Sequence, residues 1–402
     1  MRIMTAPIML NIAENGVKEE YKMNERIQQA IDLTKQVLGD ARRGGQNVCC
    51  SVSGGADSDI LIDLCERAEP HFVKYVFFDT GIEYQATKDH LGWLEQKYGI
   101  EIYREKAKVP VPLGNNKYGV PFLSKNVSNM IWRLQSNGFQ WEDDTFENLY
   151  KKYPNCRCGL LWWTNGKGEG SHFNINRNSW LKEFLMKNPP PFKISDKCCL
   201  GAKKNTSDVY MKKFPTDLMI MGVRKAEGGE RRTVYKEQFY FNKQHKVNYF
   251  LPILLFIDSD RQEYCEEFNV IHSRCYTEYG LKRTGCCGCP YAKEYGFERD
   301  VLKQYEPKLS KAIENMWRDV YDYTDKYHEF QKMMNRKYKE KKMCVCGCTE
   351  FTGDDVAMNL KYFGRDVKTL LCRGCFQNIM EMTDEQWDNT IEEFKAQGCQ
   401  LF

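Results

Sequence analysis

The chain has 402 residues, 42% of them hydrophobic, with a net charge of +4. That length exceeds one ordinary domain and supplies a real core, and so weak a charge neither demands nor forbids a nucleic-acid partner. The first 25 residues lack a signal-peptide core and no stretch reaches bilayer-spanning length, so a membrane is excluded and a cytoplasmic setting expected, in which 18 cysteines point to metal or redox chemistry rather than disulfides.

Residues 24–42 predict an amphipathic helix with Ile27, Ile31, Val37 and Leu38 on its apolar face. Val48-Cys49-Cys50-Ser51-Val52 predicts a strand, and Ile60-Leu61-Ile62-Asp63-Leu64 a following helix. Between them runs Ser53-Gly54-Gly55-Ala56-Asp57-Ser58. Gly54 and Gly55 carry no Cβ, so the backbone can approach an anion. The loop amides and the helix N-terminus then face negative charge. Ser53 and Ser58 add hydroxyl donors, and Asp57 caps the helix or holds the loop. The lysine of a Gly-x4-Gly-Lys-Ser/Thr phosphate loop is missing. The plain alternative is an ordinary Gly-Gly turn.

Residues 72–78 predict a buried strand ending in Asp79-Thr80-Gly81, followed by a helix over 85–98 and a third strand over 100–103. Strands alternating with helices predict an α/β fold with a doubly wound, mostly parallel sheet. Ligands bind at the carboxyl ends of such strands, where both loops lie. Residues 110–195 are irregular and read as an insertion, with a helix over 122–134, packing by Leu161-Trp162-Trp163 and a helix ended by Pro189-Pro190-Pro191. Residues 218–223 predict a strand leading into Arg224-Lys225-Ala226-Glu227 and on to Arg231 and Arg232. Residues 249–251 and 253–257, on either side of Pro252, suit a buried strand; 258–268 suit a short helix and 298–340 long helices.

Cys49, Cys50 and Cys65 fall in apolar patterns and read as core. Cys198-Cys199 is an adjacent pair, and Cys286 and Cys289 form a Cys-x2-Cys hook. Adjacent cysteines do not easily share one tetrahedral ion but can bind two irons of one cubane, which favours an iron–sulfur cluster over the alternative, a structural zinc. Cys287 is an extra thiol that could enter the set. Cys156 and Cys158 read as unliganded, with an accessory or redox pair as the alternative.

These motifs together resemble the phosphoadenosine-phosphosulfate (PAPS) reductase family over about residues 45–295. Ser53 to Ser58 resembles the pyrophosphate loop of enzymes that split ATP between the α and β phosphates. Cys198-Cys199 followed by Cys286-x2-Cys289 is similar to the 4Fe–4S site of adenylyl-sulfate reductases. Asp79-Thr80-Gly81 with Thr87, Gly222-Val223-Arg224-Lys225-Ala226-Glu227 with Arg231, Pro252-Ile253 through Asp258 (with no Trp), and Tyr279 to Cys286 resemble the family's other segments. Two departures matter. Sulfonucleotide reductases usually carry an eroded loop, and here it is intact. They also use a Glu-Cys-Gly-x-His nucleophile, whereas Cys399 lies in Gln397-Gly398-Cys399-Gln400 and reads as a spare thiol.

The departures are similar to the sulfur-transfer enzymes of DNA phosphorothioation and tRNA thiolation. That resemblance implies ATP bound with Mg²⁺, adenylation of an acceptor and release of pyrophosphate. It implies Ser53, Gly54, Gly55 and Ser58 on pyrophosphate, Asp57, Asp79, Thr80, Gly81, Gly222, Arg224 and Glu227 around the nucleotide, and Asp57, Arg224 and Arg231 as the catalytic set. The alternatives are a reductase making sulfite from adenylyl sulfate or its 3′-phosphorylated form, and a nucleotide-sensing or nucleic-acid-binding component without turnover.

The tail begins with a basic run, Lys332, Arg336, Lys337, Lys339, Lys341 and Lys342. Cys344, Cys346 and Cys348 follow, then Cys372 and Cys375, which predict a zinc-ribbon-like unit using four of the five thiols. Docking on nucleic acid is one use of such a unit, and simple fold stabilisation is the other. A sulfur-donor protein is a further expected partner. The expected domains are a helical segment 1–44, the nucleotide-binding domain 45–295, a helical linker 296–342 and the thiol unit 343–402.

Overall fold

The computed structural model describes residues 24–168, 171, 173–228, 234–243, 245–341, 344–364, 367, 369–396, 399 and 401. The chain separates into two compact units. The first holds the described residues up to Gly114, Cys198–Cys289 and Glu294–Ala312; the second holds Asn115–Lys197, Pro290–Lys293 and the described residues from Ile313 onward.

In the first unit, strands β1 (Val48–Val52), β2 (Lys74–Asp79), β3 (Ile102–Lys106), β4 (Leu218–Met221), β5 (Phe239–Asn242) and β6 (Val247–Phe250) form one sheet in the order β3-β2-β1-β4-β6-β5. All neighbours are parallel except β5 and β6. The two-residue period explains why this sheet is covered on both faces. Val48, Cys50, Val52, Tyr75, Phe77, Leu218 and Ile220 point into one apolar cluster, and Cys49, Val76 and Met219 into another. Helix α1 (Glu25–Arg43) supplies Ile27, Ala30 and Leu38 to the first cluster, and its Asn24 cap accepts from the Arg26 amide. Helices α2 (Ala56–Ala68) and α3 (Gln85–Tyr98) add Ile60, Leu61, Leu64, Leu91 and Leu94. Cys49, Cys50 and Cys65 are buried core thiols.

Several elements differ from expectation for physical reasons. β2 and β3 start two residues later than their apolar runs and extend into charged residues, because Arg104, Glu105 and Lys106 lie on an edge strand whose outer side meets solvent. The strand expected across Pro252 stops at Phe250. Proline cannot donate to a ladder, and the chain turns instead while keeping Leu251, Ile253, Leu254 and Phe256 buried. Strand β5 went unread because it alternates exposed with half-buried residues at the sheet edge.

The second unit is helical. Its helices include Lys125–Ser136, capped by Ser124, and Arg157–Trp163, whose Trp162 and Trp163 are fully buried. The helix Pro307–Lys341 runs on into this unit. Around Cys344, helices Gly353–Phe363, Arg373–Met380 and Asp384–Ala396 pack Met358, Leu371, Phe376, Trp387 and Ile391 into a small core. Among the described residues, no helix is long and apolar enough to cross a membrane.

Candidate functional site

The phosphate-type loop sits where β1 hands over to α2. Gly54 has φ +65, a left-handed backbone, and a Cβ there would lie 2.6 Å from the Thr87 methyl. Only glycine fits both demands. Ser58 Oγ accepts from the Ser53 amide at 2.8 Å and lies 3.0 Å from Ser53 Oγ, so the two serines bracket the turn. Gly55 is the helix N-cap and offers no side chain to the first-turn amides; the amide of Ser58 turns back to the Gly55 carbonyl at 2.8 Å.

Asp57 therefore does not cap the helix; it holds Arg224. Arg224 Nε lies 3.0 Å from Asp57 Oδ1, close enough for charge pairing although off the hydrogen-bond direction. Arg224 Nη1 donates to Asp258 Oδ1 at 3.0 Å, and Arg261 approaches Asp57 at 3.5 Å. The Arg224 side chain is only 6% exposed, and Asp258 is 80% exposed. Gly222 lets the end of β4 pass close, since a Cβ there would lie 3.4 Å from that of Asp57. Glu227 is exposed on the short turn Lys225–Glu227. Arg231 and Arg232 lie outside the described residues.

At the end of β2, the Asp79-Thr80-Gly81 loop is nailed down by Glu83, which sequence reasoning missed. Glu83 Oε1 accepts from the Thr80 amide at 2.8 Å and from its hydroxyl at 2.5 Å, and Oε2 from the Gly81 amide at 3.1 Å. Burial, then a proton shared with Asp79, raises the Glu83 carboxyl. Asp79 also accepts from the Gly81 amide at 2.8 Å. This loop reaches the cysteines directly, with Thr80 Oγ1 3.4 Å from Cys286 Sγ.

Cys198, Cys199, Cys286 and Cys289 act on one another within this unit. The Cys198 thiol is pushed far up by its hydrogen bond with Cys199, then by burial and by Cys289 and Cys286. Burial also raises Cys286, partly offset by Lys203. Lys203, on the π turn Leu200–Lys204, is a second residue the sequence did not announce. The thiols of Cys286, Cys199 and Cys289 hold its charge in place, Cys286 foremost. It is crowded by neighbours yet keeps exposed surface, as a side chain in a cleft does. A cation beside the thiols of Cys286, Cys199 and Cys289 suits an anionic metal–sulfur group. Cys287 is not in the set. It is fully buried and its Sγ donates to the Ile82 carbonyl at 2.6 Å. We therefore expect Cys287→Ser to keep the visible absorption of anaerobically purified protein, and Cys286→Ser or Cys198→Ser to lose it.

Other supports lie beneath the loop. Asp59, fully buried, holds His90 Nε2 at 2.9 Å and His272 Nδ1 at 2.8 Å. The Tyr276 hydroxyl accepts from the Ala56 amide at 3.2 Å and from the Thr284 amide at 3.3 Å, tying the loop to the segment that enters the hook. Most of these pairings span a large separation along the chain and so leave no sequence signal.

In the second unit, the Sγ atoms of Cys344, Cys346, Cys372 and Cys375 all lie within 4.8 Å of one another. Cys372 is 3.7 Å from both Cys344 and Cys346. One tetrahedral ion bonded to sulfur at about 2.3 Å sets its thiolates about 3.8 Å apart, so the four can hold a single metal. The fifth thiol is decided against, since Cys348 Sγ donates to the Glu350 carbonyl at 3.2 Å. Burial raises Cys344, but the Cys346 and Cys372 amides and the neighbouring thiols outweigh it and bring it down to about 6. In the basic run, Lys342 lies outside the described residues, as do the side chains of Arg336, Lys337, Lys339 and Lys341. Cys399 is half-buried with its amide on the Phe394 carbonyl at 3.0 Å.

An uncharacterized protein of Methanocaldococcus jannaschii is 24% identical over 325 residues, which is 79% of this chain and 48% of that protein. The chain thus spans about half the length of this relative. Among solved structures, a PAPS reductase of Candida auris in complex with phosphate is 13% identical, covering 66% of this chain and 96% of that one at a TM-score of 0.36. A tRNA thiolase of Methanococcus maripaludis, with its 4Fe–4S cluster, is 11% identical, covering 76% and 80% at 0.31. The family model of the phosphoadenosine phosphosulfate reductase domain matches residues 47–292, which take in the β1–α2 loop, the Asp79 loop and all four thiols around Lys203, and the chain belongs to that family.

Proposed function

We propose that this protein binds ATP with Mg²⁺, releases pyrophosphate by adenylating an acceptor, and passes sulfur to it. The observation that carries the reading is the intact loop, with Gly54 in a left-handed conformation, the Ser53–Ser58 bracket and a helix N-cap without a side chain. In this reading residues 45–295 carry the chemistry. Ser53, Gly54, Gly55 and Ser58 hold pyrophosphate, and Asp79, Thr80 and Gly81 border the nucleotide. Arg224 keeps Asp57 as its anchor, and the nitrogen now on exposed Asp258 is the one a phosphate oxygen takes over. Positioning and charge supply most of such a reaction, so no strongly perturbed acid is required.

Cys198, Cys199, Cys286 and Cys289 would hold a 4Fe–4S cluster, which when bound supplies iron to carry or activate sulfur. Lys203 and Thr80 orient and charge-balance that set. Cys344, Cys346, Cys372 and Cys375 would hold zinc, with the basic run beside it offered to a nucleic-acid acceptor. The family match favours a second reading, reduction of a sulfonucleotide to sulfite.

The test is incubation of anaerobically purified protein with Mg²⁺ and ATP labelled at the α phosphate. AMP or an adenylated species should appear with pyrophosphate, and Ser53→Ala should abolish both. Inert ATP together with sulfite released from adenylyl sulfate when a dithiol reductant is supplied would replace this reading with the second.

A further inference from the structure

Cys156 and Cys158 take no part in either metal centre. They stand on the turn Pro154–Cys156 and the helix Arg157–Trp163 of the second unit. With Trp132, Arg133, Asn137 and Asn155 they line a cavity of about 180 Å³. The two thiols differ in kind. Cys156 is 2% exposed, and its Sγ donates to the Arg133 carbonyl at 3.4 Å. Burial raises it, and the Arg133 charge offsets this only in part. Cys158 is half-buried, and the Lys167 ammonium donates to its Sγ at 3.1 Å. A cation in hydrogen-bond contact with sulfur is what stabilises the anion that attacks an electrophile. The surroundings are cationic as well. Arg133 is oriented by its Nε donating to Asn129 Oδ1 at 2.8 Å, and Lys197 Nζ lies 3.4 Å from the centre of the Trp132 ring.

We propose that Cys158 is a nucleophilic thiol that attacks the sulfur–sulfur bond of a small anionic molecule in this cavity, with Lys167 holding the attacking sulfur and Arg133 drawing in the negative charge. The Cys158 thiol gives its proton to solvent, its sulfur bonds to one sulfur of the reagent, the S–S bond breaks, and the other half leaves as its thiolate. A disulfide leaves a mixed disulfide on Cys158. A persulfide attacked at its outer sulfur leaves that sulfur on Cys158 as a new persulfide. No further oxidant is consumed, because the reagent's S–S bond carries the oxidising equivalents. Cys156, buried beside it, stays a thiol. This site stands whichever nucleotide reaction the first unit performs.

The experiment treats the metal-loaded protein with 5,5′-dithiobis(2-nitrobenzoate), a dianionic disulfide, or with cysteine persulfide, and maps the modified peptide against time. Cys158 should be the first thiol modified in at least one arm, and the arm that reacts identifies the natural reagent. Lys167→Met should slow modification about tenfold and Lys167→Arg should largely restore it, as expected for loss and return of one charge-assisted hydrogen bond. Cys399→Ser should leave the rate of modification at Cys158 unchanged. A neutral disulfide, 4,4′-dithiodipyridine, should lose its advantage of Cys158 over Cys399. Earlier reaction at Cys348 or Cys399 in both arms, an unaltered rate in Lys167→Met, or no adduct at Cys158 would overturn the proposal.

Discussion

With zinc held by Cys344, Cys346, Cys372 and Cys375 as proposed, chelating it should melt the three helices Gly353–Phe363, Arg373–Met380 and Asp384–Ala396 while leaving the six-stranded sheet intact. The core those helices share is small, with Met358, Phe376, Trp387 and Ile391 as its main apolar side chains. A core of that size does not outweigh the chain entropy of ordering its own helices. The thiols themselves are part of the packing, since the Cys372 amide donates to Cys344 Sγ at 3.2 Å. Structural zinc supplies roughly 10–16 kcal/mol of apparent binding energy in small units of this kind, far more than the helices can replace. Hydrogen exchange should show residues 353–396 losing protection on chelation, with Cys372→Ser reproducing the loss. Cys348→Ser should bind metal normally, because that thiol serves the Glu350 carbonyl. Retained protection after complete metal removal would show that the apolar core suffices alone.

Asp57→Ala should destabilise the nucleotide-binding unit by about 3 kcal/mol, the lower end of what breaking one partner of a buried ion pair costs. The Arg224 guanidinium is nearly enclosed and Asp57 is its inner partner; the outer partner, Asp258, is solvated and screens it weakly. The double variant Asp57→Ala with Arg224→Met should recover most of that stability, since no uncompensated charge is left. ATP turnover should stay lost in both variants. Urea unfolding together with the labelled-ATP assay separates the two effects. Equal stability of the single and double variants would mean that Asp258 alone satisfies Arg224.

Much of the scaffold was legible along the chain. Val48–Val52 and Gln85–Tyr98 lie where the apolar periods put them, because short-range pattern and burial agree there. Edge strands were read poorly. β3 ends on Arg104, Glu105 and Lys106, and no apolar period marks residues that pair on one side and meet water on the other. The Pro252 strand shows the converse failure, since burial without a donor for the ladder produces turns.

The candidate site divides along the same line. The sequence by itself determined the residue types that chemistry requires: two glycines and two serines between a strand and a helix, a thiol pair and a hook, and five thiols near the tail. These are local, so spacing alone reveals them. The tertiary structure alone decided which thiols lie together and what supports them. Cys287 turns to the Ile82 carbonyl and Cys348 to the Glu350 carbonyl, whereas Cys346 joins Cys344. It also set Asp57 against Arg224, Lys203 beside the thiols, and Tyr276 on the Ala56 amide. Most of these partners stand far apart along the chain, and their pairing depends on which strand ends the parallel sheet brings side by side, a property of the folded chain that no local spacing records.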